Sequence, residues 1–183
     1  MKKLLIALLI INVFLLILVL AFNPACFYED FVQYGALYFS PHKILNSCMV
    51  SYGSWEGEGD SLAVEIPDEL NGRRVTVWGD SYPGNFVFNM DGIEYACGED
   101  LLPEDAVIIP RYLTIYIGAN LKELRDISMK DFYKAENATA VFYQIRVDIQ
   151  CSLDNPYFYS INGKLFRKTD KQLIDLFFYA SDY

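Results

Sequence analysis

The chain has 183 residues, of which 15 are Lys or Arg and 24 are Asp or Glu, so its formal net charge is −9 at pH 7. Nucleic acid is not expected as a partner, because phosphate binding needs a concentrated positive surface and, beyond the N-terminal segment, the chain offers only Arg73-Arg74 and Arg167-Lys168. The 14 Tyr, 13 Phe and 2 Trp favour β-strands, since aromatic side chains pack well on a pleated surface.

Residues 1–25 form an apolar N-terminal segment. Lys2 and Lys3 precede Leu4–Phe22, a run of 19 residues in which Asn12 is the only strongly polar one. A helix of that length would measure about 28 Å, close to the ~30 Å hydrocarbon thickness of a bilayer. The pattern predicts a transmembrane helix with the N-terminus inside and the remainder outside.

Two other interpretations of residues 1–25 stay open. A cleaved signal peptide prefers a shorter apolar core and a small residue three positions before the cut, where Asn23-Pro24-Ala25 begins with Asn. Lipid modification of Cys26 would need a motif of small residues before it, and the same three residues depart from that motif. All three interpretations predict export of the rest of the chain. We therefore expect a cell-membrane protein with an extracellular ectodomain, or a secreted protein if the segment is cleaved.

The four cysteines, Cys26, Cys48, Cys97 and Cys151, lie far apart in the sequence. They lack the close spacing that is typical of zinc sites, so no metal and no cofactor are expected. Export would permit disulfides in any of three pairings, and buried free thiols are the other interpretation.

Strand patterns begin after residue 47. Residues 26–47 show mixed apolar and polar positions, and a linker or a short capping helix that ends near Ser40-Pro41 is expected there. From Cys48 onwards, short apolar runs alternate with glycine-rich or Asn-Gly turns, as in consecutive β-strands. Residues 48–183 are therefore predicted to form one ectodomain.

One short pattern occurs twice. Ala63–Pro67 and Ala106–Pro110 both end in Ile-Pro, 43 residues apart, and each is followed by an apolar pair and a glycine, Gly79 or Gly118. Alternate apolar residues would face one side of a strand, and proline would end the strand because it has no N–H to donate. The glycines would permit the turn that follows. The 43-residue offset is about twice the length of a leucine-rich repeat, so stacked repeats with a worn intermediate copy between these two are expected.

These segments resemble BspA-like leucine-rich-repeat proteins. "YGSWEGEGDSLAVEIPDELNGRRVTVWGD" looks like the opening repeat of that family, and "IIPRYLTIYIGA" is similar to its later repeats. The Ala-Phe-x-x-Cys stretch expected after each repeat glycine is absent. Positions that match the family are Ile66-Pro67, Asn71-Gly72, Val75-Thr76, Trp78-Gly79 and, for its Phe-x-x-Cys-x-x-Leu-x-x-Ile stretch, Phe132, Ala135, Ala138 and Val141.

Residues 155–174, "NPYFYSINGKLFRKTDKQLI", carry two turn signals, Asn155-Pro156 and Asn162-Gly163. They resemble the segment that follows the last repeat in this family and are expected to fold as a hairpin. The resemblance covers about residues 48–178 and implies a bacterial source. It implies a β-rich α+β fold: a short right-handed leucine-rich-repeat-like solenoid with a terminal β-hairpin, preceded by the N-terminal transmembrane helix.

No catalytic motif is recognised, so an enzyme is not expected. The single histidine, His42, follows Pro41 and is interpreted as a solvated loop residue rather than a general base, and there is no Gly-x-Ser-x-Gly turn. Asn137 lies in a glycosylation sequon but is interpreted as a turn residue. Carboxylates that could form an acid–base pair are interpreted as a solvated surface: Glu56, Glu58, Asp60, Asp80, Glu94, Glu99 and Asp100.

Two functions follow from export, repeats and the missing catalytic motifs. The first is a non-catalytic cell-surface protein whose Tyr- and Phe-rich strand face binds a protein or glycan outside the cell, with the N-terminal helix in the membrane. The alternative is a membrane-proximal structural or assembly component of the cell envelope with no soluble ligand. The sequence singles out no individual binding residue for either function.

Overall fold

The computed structural model describes residues 2–22, 27–55, 59–79, 88–90, 107–125, 127 and 141–176. These residues are mostly β-structure. In chain order the elements are α1 (Lys2–Phe22), β1 (Val32–Tyr34), β2 (Leu37–Pro41), β3 (Ser47–Trp55), β4 (Ser61–Ile66), β5 (Glu69–Leu70), β6 (Arg73–Gly79), β7 (Phe88–Met90), β8 (Val107–Ile117), β9 (Glu123–Arg125), β10 (Val141–Cys151), β11 (Phe158–Ile161), β12 (Lys164–Arg167) and β13 (Leu173–Ile174).

The first sheet is mixed and has β3 at its centre. Its order is β1-β2-β3-β6-β5, while β7 pairs with β3 and β9 pairs with β6. The pairs β1–β2, β2–β3 and β5–β6 are antiparallel, whereas β3–β6, β3–β7 and β6–β9 are parallel. Residues 32–34 and 37–41 are therefore strands and not a capping helix. Gly35, with φ of +59°, makes the tight turn between β1 and β2.

The second sheet is parallel throughout, in the order β10-β8-β4. In its register, Ile66 of β4 lies opposite Ile117 of β8, which lies opposite Cys151 of β10. Side chains alternate along β8, so Leu113, Ile115 and Ile117 are buried and the residues between them reach solvent to different extents. One face of this sheet is therefore core and the other is open in the described part of the chain.

A third, antiparallel sheet consists of β11, β12 and β13. Asn162 and Gly163 connect β11 to β12 with φ values of +50° and +75°, as in the hairpin turns that favour Asn-Gly. The main-chain N–H of Ile149 donates to the carbonyl oxygen of Gly163 at 2.9 Å, which joins the hairpin to β10.

All three sheets contribute to one apolar core. Trp78 and Phe39 of the first sheet, Ile66 and Leu113 of the second, and Leu165 of the hairpin are at most 1% exposed. Burial of side chains of this size stabilises a fold by roughly 2–3 kcal/mol each. The core therefore holds the first sheet, the second sheet and the hairpin together.

The predicted leucine-rich-repeat-like solenoid is wrong, because the described strands form one mixed, one parallel and one antiparallel sheet and no solenoid. The two Ile-Pro copies are not structural equivalents: Ile66 lies opposite Ile117 and not opposite Ile109. Pro110 does not end a strand but lies inside β8. It is tolerated there because β4 reaches only as far as Tyr112, so the missing N–H falls where β8 has one neighbouring strand, β10.

The predicted transmembrane helix is not supported either. Among the described residues no helix is long and apolar enough to cross a membrane.

Some residues singled out in the sequence lie outside the described residues. They are Asn23-Pro24-Ala25, Cys26, Glu56, Glu58, Asp80, Glu94, Cys97, Glu99, Asp100, Ala106, Phe132, Ala135, Asn137 and Ala138.

Candidate functional site

A cavity of about 440 Å³ opens where β4, β8 and β10 end. Carboxylate, amide, hydroxyl, aromatic and aliphatic side chains line it together: Glu65, Asp68, Tyr116, Gln150, Ser152 and Leu153. Each strand supplies at least one of these groups, because all three strands are parallel and finish at the same edge of the sheet.

The centre of the cavity is a row of three side chains across the second sheet. Glu65 of β4 lies opposite Tyr116 of β8, and Tyr116 lies opposite Gln150 of β10. Residues at the same level of neighbouring strands point to the same face, so the three side chains are adjacent. All three are exposed, and 43% of Tyr116 is accessible to solvent. The row thus presents an aromatic ring between a carboxylate and an amide.

Asp68 holds the rim on the β4 side. Its Oδ1 accepts the main-chain N–H of Ala119 and, at 3.3 Å, that of Asn120. The Asn120 side chain in turn donates to the carbonyl oxygen of Asp68 at 3.1 Å. Gly118 allows this close approach, because a Cβ at that position would lie 2.5 Å from Asp68 Oδ1. The turn after β8 is therefore fixed to the turn after β4.

Asn155 holds the opposite rim. It is 0% exposed, and its Nδ2 donates to the carbonyl oxygens of Gly118 at 2.8 Å and Leu121 at 2.9 Å. Its Oδ1 accepts the N–H groups of Tyr157 at 2.8 Å and Phe158 at 2.9 Å. Both Nδ2 protons and both Oδ1 lone pairs are thus engaged inside the protein, which joins the turn after β10 to the turn after β8.

Leu153 lies at the tip of the turn after β10. It is 95% exposed, although the turn itself is held by the Ser152 N–H, which donates to the Ile117 carbonyl oxygen at 2.8 Å. An aliphatic side chain that is this exposed on a fixed turn adds an apolar contact beside Tyr116.

The charge of the cavity comes from two carboxylates. Neither Lys nor Arg is among the residues that line it in the described part of the chain. Burial raises the pKa of the Cys151 thiol at its edge to about 11, so this thiol is protonated at neutral pH and is a weak nucleophile. The arrangement suits hydrogen bonding and stacking better than covalent chemistry or the binding of anions.

A second aromatic feature lies on the outward face of the first sheet. The rings of Tyr38 and Tyr52, which are paired across β2 and β3, stack with centroids 4.3 Å apart and planes 9° apart. Phe31, 58% exposed, meets Tyr52 edge-on at 5.2 Å. Burial raises the pKa of the Tyr52 hydroxyl, so this ring is neutral at physiological pH. We call Phe31, Tyr38 and Tyr52 the aromatic cluster.

His42 is part of the fold rather than a freely solvated loop residue. Its ring stacks on Phe27 at 5.7 Å and contacts Tyr28 edge-on at 5.2 Å. Its Nδ1 accepts the N–H groups of Ile44 at 3.1 Å and Leu45 at 3.0 Å, so the ring organises the loop between β2 and β3. Burial lowers the pKa of His42, and the neutral ring is the form that can accept these bonds.

Two cysteines are described, and both are free thiols. Cys48 is 2% exposed, and burial raises its pKa to about 11. Asp60, the one described member of the sequence-derived carboxylate set, is exposed, and its carbonyl oxygen accepts the Tyr112 N–H at 2.9 Å. No cluster of His, Cys, Asp or Glu that could hold a metal ion occurs within the described ranges.

Sequence reasoning did not identify the cavity residues. Glu65, Tyr116 and Gln150 lie in three distant segments, and the available signal was the alternation of apolar and polar residues that places each of them on the outward face. A comparison with known proteins found no matching family model, curated protein or solved structure. The resemblance to BspA-like proteins therefore stays a prediction from the sequence.

Proposed function

We propose that this chain is a non-catalytic binding protein that recognises a protein or a glycan outside the cell. One observation carries the proposal: tyrosine side chains stand on outward strand faces of both large sheets. Tyr112 and Tyr116 of β8 are 49% and 43% exposed, and the stacked rings of Tyr38 and Tyr52 lie on the other sheet. Rings of this kind supply a large contact area at a small cost in conformational entropy.

The cellular location is part of the proposal. It is supported by the apolar run Leu4–Phe22, which follows two lysines, a pattern typical of exported proteins. The resemblance to BspA-like surface proteins is a second support from the sequence. The net charge of −9 favours solubility and a ligand other than nucleic acid.

A binding experiment on the full-length protein tests this function. The protein would be presented to arrays of extracellular glycans and matrix proteins at low and physiological salt. Saturable binding that is weakened by Tyr38→Ala or Tyr116→Ala, in variants whose circular dichroism spectrum is unchanged, is the expected result. If neither array shows saturable binding, or if tyrosine substitutions never alter it, the proposal is wrong.

The alternative function is a structural or assembly component of the cell envelope. The observation that favours it is apolar surface on the loops of the first sheet, where Phe31, Ile44 and Leu45 are 58%, 75% and 58% exposed. Exposed apolar groups of this kind are often covered by a partner protein. Crosslinking in intact cells tests this function, and recovery of the protein as a monomer only would argue against it.

A further inference from the structure

We propose that the cavity at the ends of β4, β8 and β10 binds a neutral carbohydrate, with Tyr116 as the stacking surface and Glu65 and Gln150 as hydrogen-bond partners of sugar hydroxyls. This inference rests on the proposed binding function and narrows it to one site and one ligand class.

The size and rigidity of the cavity fit a small ligand. A volume of about 440 Å³ falls in the range of ~300–1,000 Å³ that is typical of small-molecule sites. A stable protein partner would instead cover roughly 800 Å² of surface. Hydrogen bonds of Asp68 and Asn155 hold the turns at both rims, so the backbone around the cavity needs little reordering when a ligand binds.

The side chains match the two-sided chemistry of a sugar ring. One face of a pyranose carries C–H groups that pack on an aromatic ring, and its edge carries hydroxyls that both donate and accept. Tyr116 offers the ring, with Leu153 as a further apolar contact. Glu65 accepts hydrogen bonds from hydroxyls. Gln150 uses its Nε2 to donate to Asp148 at 3.1 Å, which leaves Oε1 as a second acceptor for the sugar.

The charges favour a neutral ligand. An anionic sugar would lie beside Glu65 and Asp68 with no cation among the lining residues of the described chain. The Asp68 carboxylate is directed to the turn after β8, since its Oδ1 accepts the N–H groups of Ala119 and Asn120. Glu65 is the exposed carboxylate of the central row, and its oxygens are suited to accept hydrogen bonds from a pair of hydroxyls.

Tyr112 provides a matched control for Tyr116. Both tyrosines lie on β8, both point to the open face, and they are 49% and 43% exposed. Tyr112 lies opposite Ser61 and Arg146, outside the cavity. Substitution of either ring therefore removes a comparable surface side chain, but only Tyr116→Ala removes the proposed stacking surface.

The test measures binding of the full-length protein to neutral oligosaccharides of glucose, galactose, mannose and N-acetylglucosamine. We expect saturable binding to at least one, with equal affinity at low and physiological salt. Tyr116→Ala should weaken it about tenfold, the effect of losing one aromatic contact. Tyr116→Phe should retain most of the affinity, Gln150→Ala should weaken it, and Tyr112→Ala should leave it unchanged. Circular dichroism of each variant verifies folding.

Four outcomes would overturn the inference. Equal loss in Tyr112→Ala and Tyr116→Ala would place the ligand elsewhere on the sheet. Preference for a lysine-rich peptide, with affinity that falls as salt rises and is lost in Glu65→Gln, would make the cavity a cation site. Binding of a matrix protein but of no oligosaccharide would refute the carbohydrate site and leave the proposed function standing. Binding of neither would refute both.

Discussion

Replacement of Asn155 by alanine tests how the two turns beside the cavity are held. The Asn155 amide makes four hydrogen bonds, to the carbonyl oxygens of Gly118 and Leu121 and to the N–H groups of Tyr157 and Phe158. Alanine keeps the Cβ and removes all four bonds at once. It also leaves a space at a position that is 0% exposed.

The size of the effect follows from these four bonds. Each contributes about 1 kcal/mol net, so their loss alone costs about 4 kcal/mol. The partner groups at Leu121 and Phe158 are buried, and leaving them unsatisfied adds to the cost unless water enters the space. A domain of this size is typically stable by only ~5–15 kcal/mol. Asn155→Ala should therefore remove a large part of the folding free energy.

Urea denaturation measures this loss. Unfolding would be followed by circular dichroism and by fluorescence of the buried Trp55 and Trp78, with the slope of free energy against urea compared between variants. The control is Asn120→Ala, which makes the same chemical change in the turn after β8 but removes a single exposed bond to the Asp68 carbonyl oxygen. It should cost less than about 1 kcal/mol.

A second substitution, Asn155→Asp, separates hydrogen bonding from the loss of volume. The side chain keeps its shape and both accepted bonds, but an oxygen would face the carbonyl oxygens of Gly118 and Leu121. Repulsion and burial would raise the pKa of the introduced carboxyl group above its unfolded value, so this variant should gain stability relative to Asn155→Ala as pH falls. A cost below about 1 kcal/mol for Asn155→Ala, or no relative gain at low pH, would refute the reasoning.

Three further predictions concern other parts of the fold. Gly79→Ala should lower the free energy of unfolding, measured in urea, by about 2 kcal/mol, because φ at Gly79 is +129° and a Cβ there would overlap the Arg125 carbonyl group. An unchanged midpoint of the urea transition would contradict this. Because the folded pKa of His42 is lowered, its contribution to stability is complete above the unfolded pKa of about 6.5 and is lost as pH falls through the folded value. The thermal unfolding midpoint of His42→Ala should therefore change less with pH across that window than the midpoint of the unsubstituted protein. An equal change with pH in both proteins would disprove the link. The Cys48 thiol, with a pKa of about 11 and 2% exposure, should resist alkylation until urea unfolds the chain, whereas fast labelling of its peptide in native buffer would show an open core.

Local features of the fold were predictable from the sequence, but pairing was not. Asn162-Gly163 predicts a hairpin turn by its own backbone preference, and the turn is present with positive φ at both residues. The apolar alternation along β8 continues past Pro110 to Ile117, so Ile109 and Ile117 satisfy the same pattern. Which of the two residues lies opposite Ile66 depends on packing across the sheet. No local sequence pattern carries that information.

The same limit explains why the cavity was missed. The sequence correctly favours strands with aromatic residues on their outward faces, but Glu65, Tyr116 and Gln150 become neighbours only through the register of β4, β8 and β10. A shift of one residue in either pairing would turn one of the three side chains to the core face. Exposure of Leu153 likewise depends on the turn that Asn155 holds, not on the apolar character of the residue itself.

The parallel pairing of β8 also affects the order in which the chain can fold. The hairpin of β11 and β12 joins neighbours in the sequence, so it can form early and by itself. By contrast, β8 pairs along all eleven of its residues with β10, which follows only after a long intervening segment. Closing such separated contacts is slow. Until Val141–Cys151 has been synthesised and has docked, one whole edge of β8 can pair with another chain. The growing polypeptide is therefore most prone to association just before its second sheet is complete.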